Sequence, residues 1–446
     1  MKSILVLASF LIVTLFVPSF RLIAQHDPVS THLKVVEEFT IAKVWSGHPV
    51  GFDLLTSDPF QYIAFYDQHR NMCIARRKLG ESDWTTTILP SKVGWDSHNG
   101  ISIAVDRAGY LHVSGNMHVD TLVYFRSALP NNIQSFERMP MLGYDEYRVT
   151  YPQFFKNTEG ELFFQYRDGS SGNGITYINQ YDSEGKKWSR VLSQGLFDGE
   201  GETNAYPNNP VLGADGYFHY LWVWRLNPIA NTNHNLSYVR TKDFRHFENI
   251  RGESISIPIR YRERKVIADP VGPWNGLMNS SKKLGFDSQG RVLLGYHKFD
   301  HRGISQLFIC RYEDDRWIQQ QISDWPDFTW EINARGSLGK AIDLEEIKAG
   351  ERGHIYVSYT HEKYGSGLLK IDESSLTLTE DLTGARFITV DGLIDRPSQG
   401  MQINQRFDEK NRFLLRWETL PSNFDQPRKP PYPEPSILKL YELDPN

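Results

Sequence analysis

Apolar segments of strand length recur along the chain in pairs, and a tight polar turn joins the two members of each pair. The second segment of each pair is rich in Tyr, Phe, Leu and Val, which favour β-strands. The last turn position carries Gly or Asn in every copy except the first, as a left-handed turn residue requires. The predicted hairpins turn at seven positions: Pro59, Gly109, Gly160, Gly216, Gly290, Gly353 and Asn411.

The spacing of these hairpins predicts the architecture. Successive turns lie 50 to 74 residues apart, which is the length of one four-stranded sheet with variable loops. A third strand follows, and its turn often ends in an aromatic residue, as in 181–188 and 312–317. Seven sheets around an axis leave only short, protected edges. We therefore predict an all-β fold, a seven-bladed β-propeller in a single domain over residues 25–446. A solenoid or a β-sandwich with insertions would not require seven units of this length.

Three further segments complete the prediction. Residues 34–44 have the pattern of a strand, and we expect them to close the ring by pairing with residues 436–443. Helical patterns are scarce, and only residues 341–349 suggest one short helical turn.

The N-terminus has the layout of a secretory signal peptide. Lys2 supplies the positive start, residues 4–18 are mostly apolar, and the segment ends with the small residue Ala24. We therefore predict a signal peptide over residues 1–24 and an exported protein, either periplasmic or secreted. Since no later apolar run reaches membrane-spanning length, we expect no membrane association.

Composition narrows the classes of partner. The net charge is −5 and is spread without blocks, which argues against nucleic acid as a partner.

Cys73 and Cys310, the only cysteines, each lie within a strand-like segment, and either one disulfide or two buried thiols fits. Nothing in the pattern requires a second copy, and we expect a monomer.

Polar residues at the ends of strands predict where the chemistry lies. The innermost strand of a blade and its neighbour run antiparallel, so residues before the first and after the second reach the same mouth. His48, His98, Tyr151 and Tyr206 precede inner strands; Asp67, His69, His118, Arg167, Arg225, His297 and His361 follow second strands.

This set of side chains suits a uronate. Arginine clamps a carboxylate and stabilises carbanion character at the adjacent carbon, while imidazole and phenol exchange protons. A comparable pair of carboxylates is missing, which counts against ordinary two-carboxylate glycoside hydrolysis. The segment from His297 to His301 comes nearest to metal-ligand spacing but predicts no metal site. We expect no required cofactor, although a structural cation remains compatible with the mouth.

Several local motifs resemble those of two related families, the ulvan lyases of polysaccharide lyase family 25 and the rhamnosidases of glycoside hydrolase family 145. The resemblance covers most of the chain after the signal peptide and implies a shared seven-bladed fold. The motifs begin at Trp45 (WSGHPV), Ser97 (SHNG), Gly115 (GNMH), Tyr151 (YP), Tyr166 (YRDGSSG) and Ala205 (AYP).

The resemblance implies two sets of functional residues. As in the rhamnosidases, a single histidine, His48, would be catalytic, and the substrate would be the L-rhamnose-α-1,4-D-glucuronate cap of plant arabinogalactan. The lyase roles, proton abstraction and carboxylate neutralisation, would fall to His98, His118, Tyr151, Arg167 and Tyr206. Substrate contacts are expected from Arg167, Tyr206, Arg225, His297 and Trp274.

The chain carries both sets, so the reaction type stays open. Because the motif around His48 is complete, we favour an exo-acting α-L-rhamnosidase that releases terminal rhamnose by hydrolysis. A lyase that cleaves the same or an ulvan-type linkage by β-elimination is the alternative. A non-catalytic glycan-binding propeller, with Trp222, Trp224 and Trp274 stacking on sugars, is the third. In each case the partner would be an acidic plant or algal polysaccharide.

Overall fold

A computed structural model describes residues 30–335, 338–393 and 396–445. The predicted signal peptide lies outside these ranges. Within them the chain is all-β, and its helical segments are single 3-10 turns at Ile133–Ser135, Ala230–Thr232 and Arg264–Val266. None of the described helices is long and apolar enough to cross a membrane.

The strands of the described ranges form seven separate sheets, which we number in chain order. Sheets 1 and 2 consist of Asp53–Ser57, Phe60–Tyr66, Asn71–Lys78 and Thr85–Lys92, and of Ile101–Val105, Leu111–Gly115, Tyr124–Ser127 and Phe136–Arg138. Sheet 3 consists of Val149–Lys156, Leu162–Ser170, Asn173–Asp182 and Lys187–Arg190, extended by His118–Asp120, Phe197–Asp198 and Ile259–Arg260. Sheet 4 consists of Asn204–Pro207, Val211–Leu212, Phe218–Arg225, Asn233–Thr241, Phe247–Glu248, Ser254–Ile255 and Ile267–Asp269.

In the remaining three sheets, most strands lie next to the strand that follows them in the chain. Sheet 5 consists of Lys282–Phe286, Val292–Phe299, Ser305–Glu313 and Arg316–Gln321, and sheet 6 of Ile342–Ala349, His354–His361, Gly365–Asp372 and Leu378–Thr383. Sheet 7 consists of Gln402–Phe407, Phe413–Thr419, Ser436–Pro445, Thr31–Val44 and Ile388–Asp391.

The hairpin turns take the predicted conformation. In the copies that begin at Asp106, Asp287 and Asp408, the carboxylate oxygen accepts hydrogen bonds from backbone N–H groups across the turn, which explains the recurring acidic residue. In the first copy Asp58 and Pro59, joined by a cis peptide bond, form the turn instead. Six turn residues have φ between 54° and 84°, as predicted: Gly109, Gly160, Gly216, Gly290, Gly353 and Asn411.

The first and last described strands close the arrangement. Thr31–Val44 pairs antiparallel with Ser436–Pro445, which confirms the predicted pairing. Sheet 7 then packs against sheet 1, because the ring of Phe52 stacks on that of Trp417 with centroids 4.5 Å apart. The two sheets thereby share one apolar core.

The segment from 341 to 349 is a strand, and the expected helical turn was wrong. Its apolar residues Ile342, Leu344 and Ile347 are buried, and a bulge after Leu344 keeps them on the inner face. Ile347 packs where sheet 5 carries Gly285, at which an added Cβ would lie 2.6 Å from the Cβ of Ile347. The missing side chain lets the two sheets approach closely.

Two expectations about buried residues are resolved. Cys73 and Cys310 are free, buried thiols, and burial raises the pKa of Cys73 to about 12. Trp222 and Trp224, expected at the mouth, are 0% and 1% exposed. Both pack in the core around Phe197, so they offer no stacking surface to a sugar.

The contact between sheets 1 and 7 gives a test of closure. Phe52→Ala should lower the free energy of unfolding by about 3–5 kcal/mol, because it empties a buried aromatic site. Ile88→Ala, at a side chain 61% exposed, is the control and should change it by less than about 0.5 kcal/mol. Chemical denaturation measures both, and equal effects would contradict this account of closure.

Candidate active site

Two histidines share one carboxylate at the mouth. His98 precedes the inner strand of sheet 2 and His118 follows its second strand, and their ring centroids lie 4.1 Å apart. Asp96 Oδ1 lies 2.7 Å from His98 Nδ1, and Asp96 Oδ2 lies 2.5 Å from His118 Nδ1. Because an ionised carboxylate only accepts hydrogen bonds, Nδ1 carries the proton in both neutral rings and Nε2 is the basic atom.

The charge of Asp96 is stable. Burial alone would raise the pKa of Asp96, but hydrogen bonds from His118 and His98 outweigh burial and hold it below its usual range. The carboxylate is therefore ionised wherever imidazole is a useful base, so it fixes the orientation of both rings.

Backbone geometry explains the motifs around these histidines. An added Cβ at Gly115 would lie 2.7 Å from the carbonyl oxygen of Gly100, so only glycine permits this approach of the strands. Asn116 and Val119, on either side of His118, both have φ of 63°. Such left-handed residues cost free energy and persist where the surroundings impose them, often at functional sites.

A loop from sheet 7 secures the segment that carries His98. The Asp425 carboxylate accepts hydrogen bonds from the backbone N and the Oγ of Ser97, at 3.0 and 2.7 Å. The closing sheet thus contributes directly to the position of an imidazole from sheet 2.

Tyr151 reaches the mouth through a β-bulge. Thr150 pairs with Arg167 while Gln153 pairs with Gln165, so the bulged strand has one extra residue. Tyr151 has φ of 58°, and its ring centroid lies 5.8 Å from that of His98. A bulge redirects a side chain in this way beside many active sites.

Arg167 lies between two phenols. Its Cζ is 4.9 Å from the ring centroid of Tyr151 and 5.7 Å from that of Tyr206, and its Nη1 donates weakly to the Tyr206 hydroxyl at 3.5 Å. Arg167 is 3% exposed, and its Nε and Nη2 have no hydrogen-bond partner within the described chain. A buried guanidinium with unused donors is suited to binding an anion bidentately.

The two phenols differ in acidity. Burial, together with the neighbouring Tyr206, raises the pKa of Tyr151 to about 12. Burial also acts to raise the pKa of Tyr206, but Arg167, Arg225 and a hydrogen bond from Ser171 outweigh it and lower that pKa. Tyr151 is therefore a neutral proton donor at neutral pH, and Tyr206 ionises more readily than an ordinary tyrosine.

Four side chains of this cluster, though neither Asp96 nor His118, line a cavity of about 280 Å³. Its walls include His98, Tyr151, Arg167, Tyr206 and Lys282. A larger cavity of about 980 Å³ shares His98 and Tyr151 and continues along the inner strands of sheets 1, 2 and 7. The cluster thus has space for a ligand beside it.

His48 lies close by but outside this space. It is 2% exposed, its ring lies against the backbone of Asp96, and it lines neither cavity. Trp45 Nε1–H donates to His48 Nδ1 at 2.9 Å, so Nε2 carries the proton. Burial lowers the pKa of His48 to about 4. The Arg70 guanidinium covers the Trp45 ring at 4.1 Å.

The other residues expected at the mouth line neither cavity. His297, an expected substrate contact, and His361, expected only at the mouth, are 0% and 3% exposed, and burial lowers the pKa of each to about 4. Arg225 lies behind Tyr206, and its guanidinium donates to the carbonyls of Asn227 and Pro228. Trp274 is 54% exposed but lines neither cavity.

Asp96, His98 and His118 are the group of described residues with the spacing of metal ligands. Two imidazoles and a carboxylate would fit a zinc-type ion. Here, however, the Nδ1 atoms and the carboxylate oxygens bond to one another, so a metal that used these atoms would have to break both hydrogen bonds.

Sequence reasoning missed Asp96 and Lys282. The spacing of Asp96, two residues before His98, was visible in the sequence, but a single carboxylate near a histidine is a weak pattern. Lys282 begins the inner strand of sheet 5, and nothing in its local sequence distinguishes it from a surface lysine.

Fold and site together define an all-β protein with a propeller-like arrangement of sheets. Residues 60–325, more than half of the chain, match the BNR repeat-containing family. The chain belongs to this family.

Comparison with known proteins connects the chain to ulvan lyases. It is 32% identical over 83 residues to the short isoform of ulvan lyase from Alteromonas sp. (strain LOR), a match that covers 19% of this chain and 14% of that protein. The long isoform from Alteromonas sp. is 45% identical over 42 residues, which cover 9% of this chain and 4% of that protein. The matched segments are thus small parts of these relatives.

Solved structures extend the likeness over the whole fold. Polysaccharide lyase Uly1 superimposes with a TM-score of 0.63 at 14% identity, covering 92% of this chain and all of that one. The PL25 ulvan lyase bound to -[GlcA(1-4)Rha3S]- superimposes with a TM-score of 0.59 at 12% identity, covering 91% and 95%. At this identity the likeness establishes the fold.

The electrostatics of the phenol pair can be tested by titration. Ultraviolet absorbance of phenolate should reveal one tyrosine that ionises below the ordinary range, and Tyr206→Phe should abolish this step. Arg167→Gln should move the step to higher pH, because removing a cation disfavours the phenolate. Tyr151→Phe is the control and should retain an early step; an early step that survives Tyr206→Phe would contradict the assignment.

Proposed function

We propose that the protein is a polysaccharide lyase that cleaves a rhamnose–uronate chain by β-elimination at the cluster formed by His98, His118, Tyr151, Arg167 and Tyr206. The carrying observation is Arg167, which lines one cavity together with two phenols and an imidazole and is buried with N–H donors that have no partner within the described chain. We propose with it that the seven sheets are the blades of a seven-bladed propeller in an exported, monomeric enzyme.

Each group has a role in this reaction. Arg167, with Tyr206 beside it, binds the uronate carboxylate and stabilises the negative charge that develops when the adjacent C5 loses its proton. His98, held through Nδ1 by Asp96, takes that proton on Nε2. The C5 electron pair forms a C4–C5 double bond, the C4–O bond breaks, and Tyr151 protonates the leaving oxygen. His118 also donates a hydrogen bond to Asp96. This bond helps to hold the carboxylate in place as the acceptor of the Nδ1–H of His98.

The acidic-polysaccharide substrate is supported from two sides. The site offers a cation to a carboxylate, and a neighbour of the same fold is recorded with -[GlcA(1-4)Rha3S]- bound. We therefore propose a polymer or side chain in which rhamnose and a uronate alternate or adjoin, with no cofactor required for the chemistry.

Hydrolytic release of terminal rhamnose at His48 is a second candidate. The observation in its favour is that His48 lies against Asp96, within an aromatic group that extends through Trp45 to Tyr432, which is 42% exposed. Against it, His48 Nδ1 accepts a hydrogen bond from Trp45 and presents only an N–H on its other side. We therefore propose the elimination first and keep the hydrolysis, which the sequence analysis favoured, as the second candidate.

Product analysis with two variants tests these candidates. On a rhamnose–glucuronate substrate, His98→Ala should reduce formation of the ultraviolet-absorbing unsaturated uronate by about 100-fold or more, because it removes the base. His48→Ala should retain most of this activity.

The opposite outcome is equally informative. Release of rhamnose without a rise in absorbance, lost in His48→Ala alone, would replace the lyase by the hydrolase. Binding without turnover across rhamnose-capped and ulvan-type glycans would leave a glycan-binding protein.

The position of Arg167 provides a subtler test. An added Cβ at Gly174 would lie 2.7 Å from Asn204 Oδ1 and 2.9 Å from Arg167 Cδ, so Gly174→Ala should displace the guanidinium. We expect turnover to fall by about one to two orders of magnitude. Gly94→Ala, where a Cβ meets open space, is the matched control. Full activity in Gly174→Ala would argue against Arg167 as the carboxylate clamp.

A further inference from the structure

Lys282 supplies a second cation to the 280 Å³ cavity. It begins the inner strand of sheet 5, on the wall formed with Asn208, Asn279 and Ser280, and the side chain is 3% exposed. The cavity therefore lies between cationic groups from two sheets, Arg167 of sheet 3 and Lys282 of sheet 5.

The ammonium group has no anionic partner among the described residues. Its Nζ donates to Asn208 Oδ1 and, at 2.9 Å, to the carbonyl oxygen of Asn279. Both acceptors are uncharged, and no carboxylate of the described chain forms an ion pair with Lys282. This contrasts with Lys298 in the same sheet, which pairs with Asp269 at 2.6 Å.

An unpaired buried cation is costly. Taking an ammonium out of water without a counter-charge is unfavourable, and burial lowers the pKa of Lys282 to about 7. Lysines that retain such a position in a cavity are candidates for binding or chemistry. An anionic ligand would supply the missing counter-charge and favour the ammonium form.

We propose that Lys282 binds a second anionic substituent of the substrate, a sulfate ester or a further carboxylate on the sugar that adjoins the uronate held by Arg167. This inference rests on the proposed function, since it assumes that the uronate occupies the Arg167 side of the cavity. It makes the enzyme selective for chains that carry two anionic groups across the cleaved linkage.

The tests compare variants that differ in the charge of residue 282. Lys282→Met removes the ammonium, and Lys282→Gln keeps a hydrogen-bond donor for Asn279 while removing the charge, in case the apolar variant fails to fold. Lys283→Met is the matched control, because the next residue of a strand points to the opposite face. Since the Lys283 charge helps to lower the pKa of Lys282, removing it favours the ammonium form and should not weaken binding. Calorimetry measures the affinity for a glucuronate–rhamnose disaccharide with and without a 3-sulfate, and for one whose neighbouring sugar is a second uronate.

We expect loss of the charge to weaken binding of one doubly anionic disaccharide by about tenfold or more, while the singly anionic disaccharide binds as before. Whichever doubly anionic ligand shows the loss identifies the substituent. Equal weakening of all ligands, or no weakening, would overturn the proposal while the lyase assignment stands.

Inorganic sulfate separates this proposal from the proposed function. Sulfate, compared with chloride at matched ionic strength, should raise the Tm of the wild type more than that of Lys282→Gln, because a ligand stabilises the state that binds it. If no disaccharide binds to the wild type but this sulfate difference is present, the lyase assignment fails and the anion site stands. Identical sulfate responses would remove the site.

Discussion

The antiparallel pairing of Thr31–Val44 with Ser436–Pro445 is the constraint on which the rest of the structure depends. It joins the two ends of the described chain in one sheet, and that sheet packs on sheet 1 through Phe52 and Trp417. An open row of sheets would expose a long edge and an apolar face, whereas closure buries both. The mouth exists because the inner strands are then held around a common space.

The packing of successive sheets determines the electrostatics of the site. Arg167 comes from sheet 3, Tyr206 from sheet 4 and His98 from the segment before sheet 2, so each is remote in sequence from the others. Brought together, they divide two chemically identical phenols into a weak acid, Tyr151, and a more easily ionised Tyr206. Asp96, by contrast, gives two imidazoles the same tautomer, because its two oxygens each accept a hydrogen bond from an Nδ1–H group. No one of these properties belongs to a single motif.

The repeat pattern and its turns were predictable because they are local. A left-handed residue at Gly109 or Asn411 and an acidic residue at Asp106 or Asp408 follow from turn geometry alone, as does the grouping of residues at strand ends. Burial was much less predictable. Trp222 was expected at the mouth but is buried, because which face of a twisted strand meets the neighbouring sheet depends on that sheet. His48 was expected there from its place before an inner strand, and it is also buried. Asp96 and Lys282 acquire their significance only from what surrounds them.

The hydrogen bonds from Ser97 to Asp425 have a consequence for the order in which the molecule becomes competent. Asp425 belongs to the segment between the last two strands of the described chain, which the ribosome makes after the other six sheets. A nascent chain therefore holds the His98 segment without this anchor until residue 425 has been synthesised. A chain cut before Asp425 would therefore form the hairpins of the earlier sheets, while the segment that carries His98 would lack this anchor.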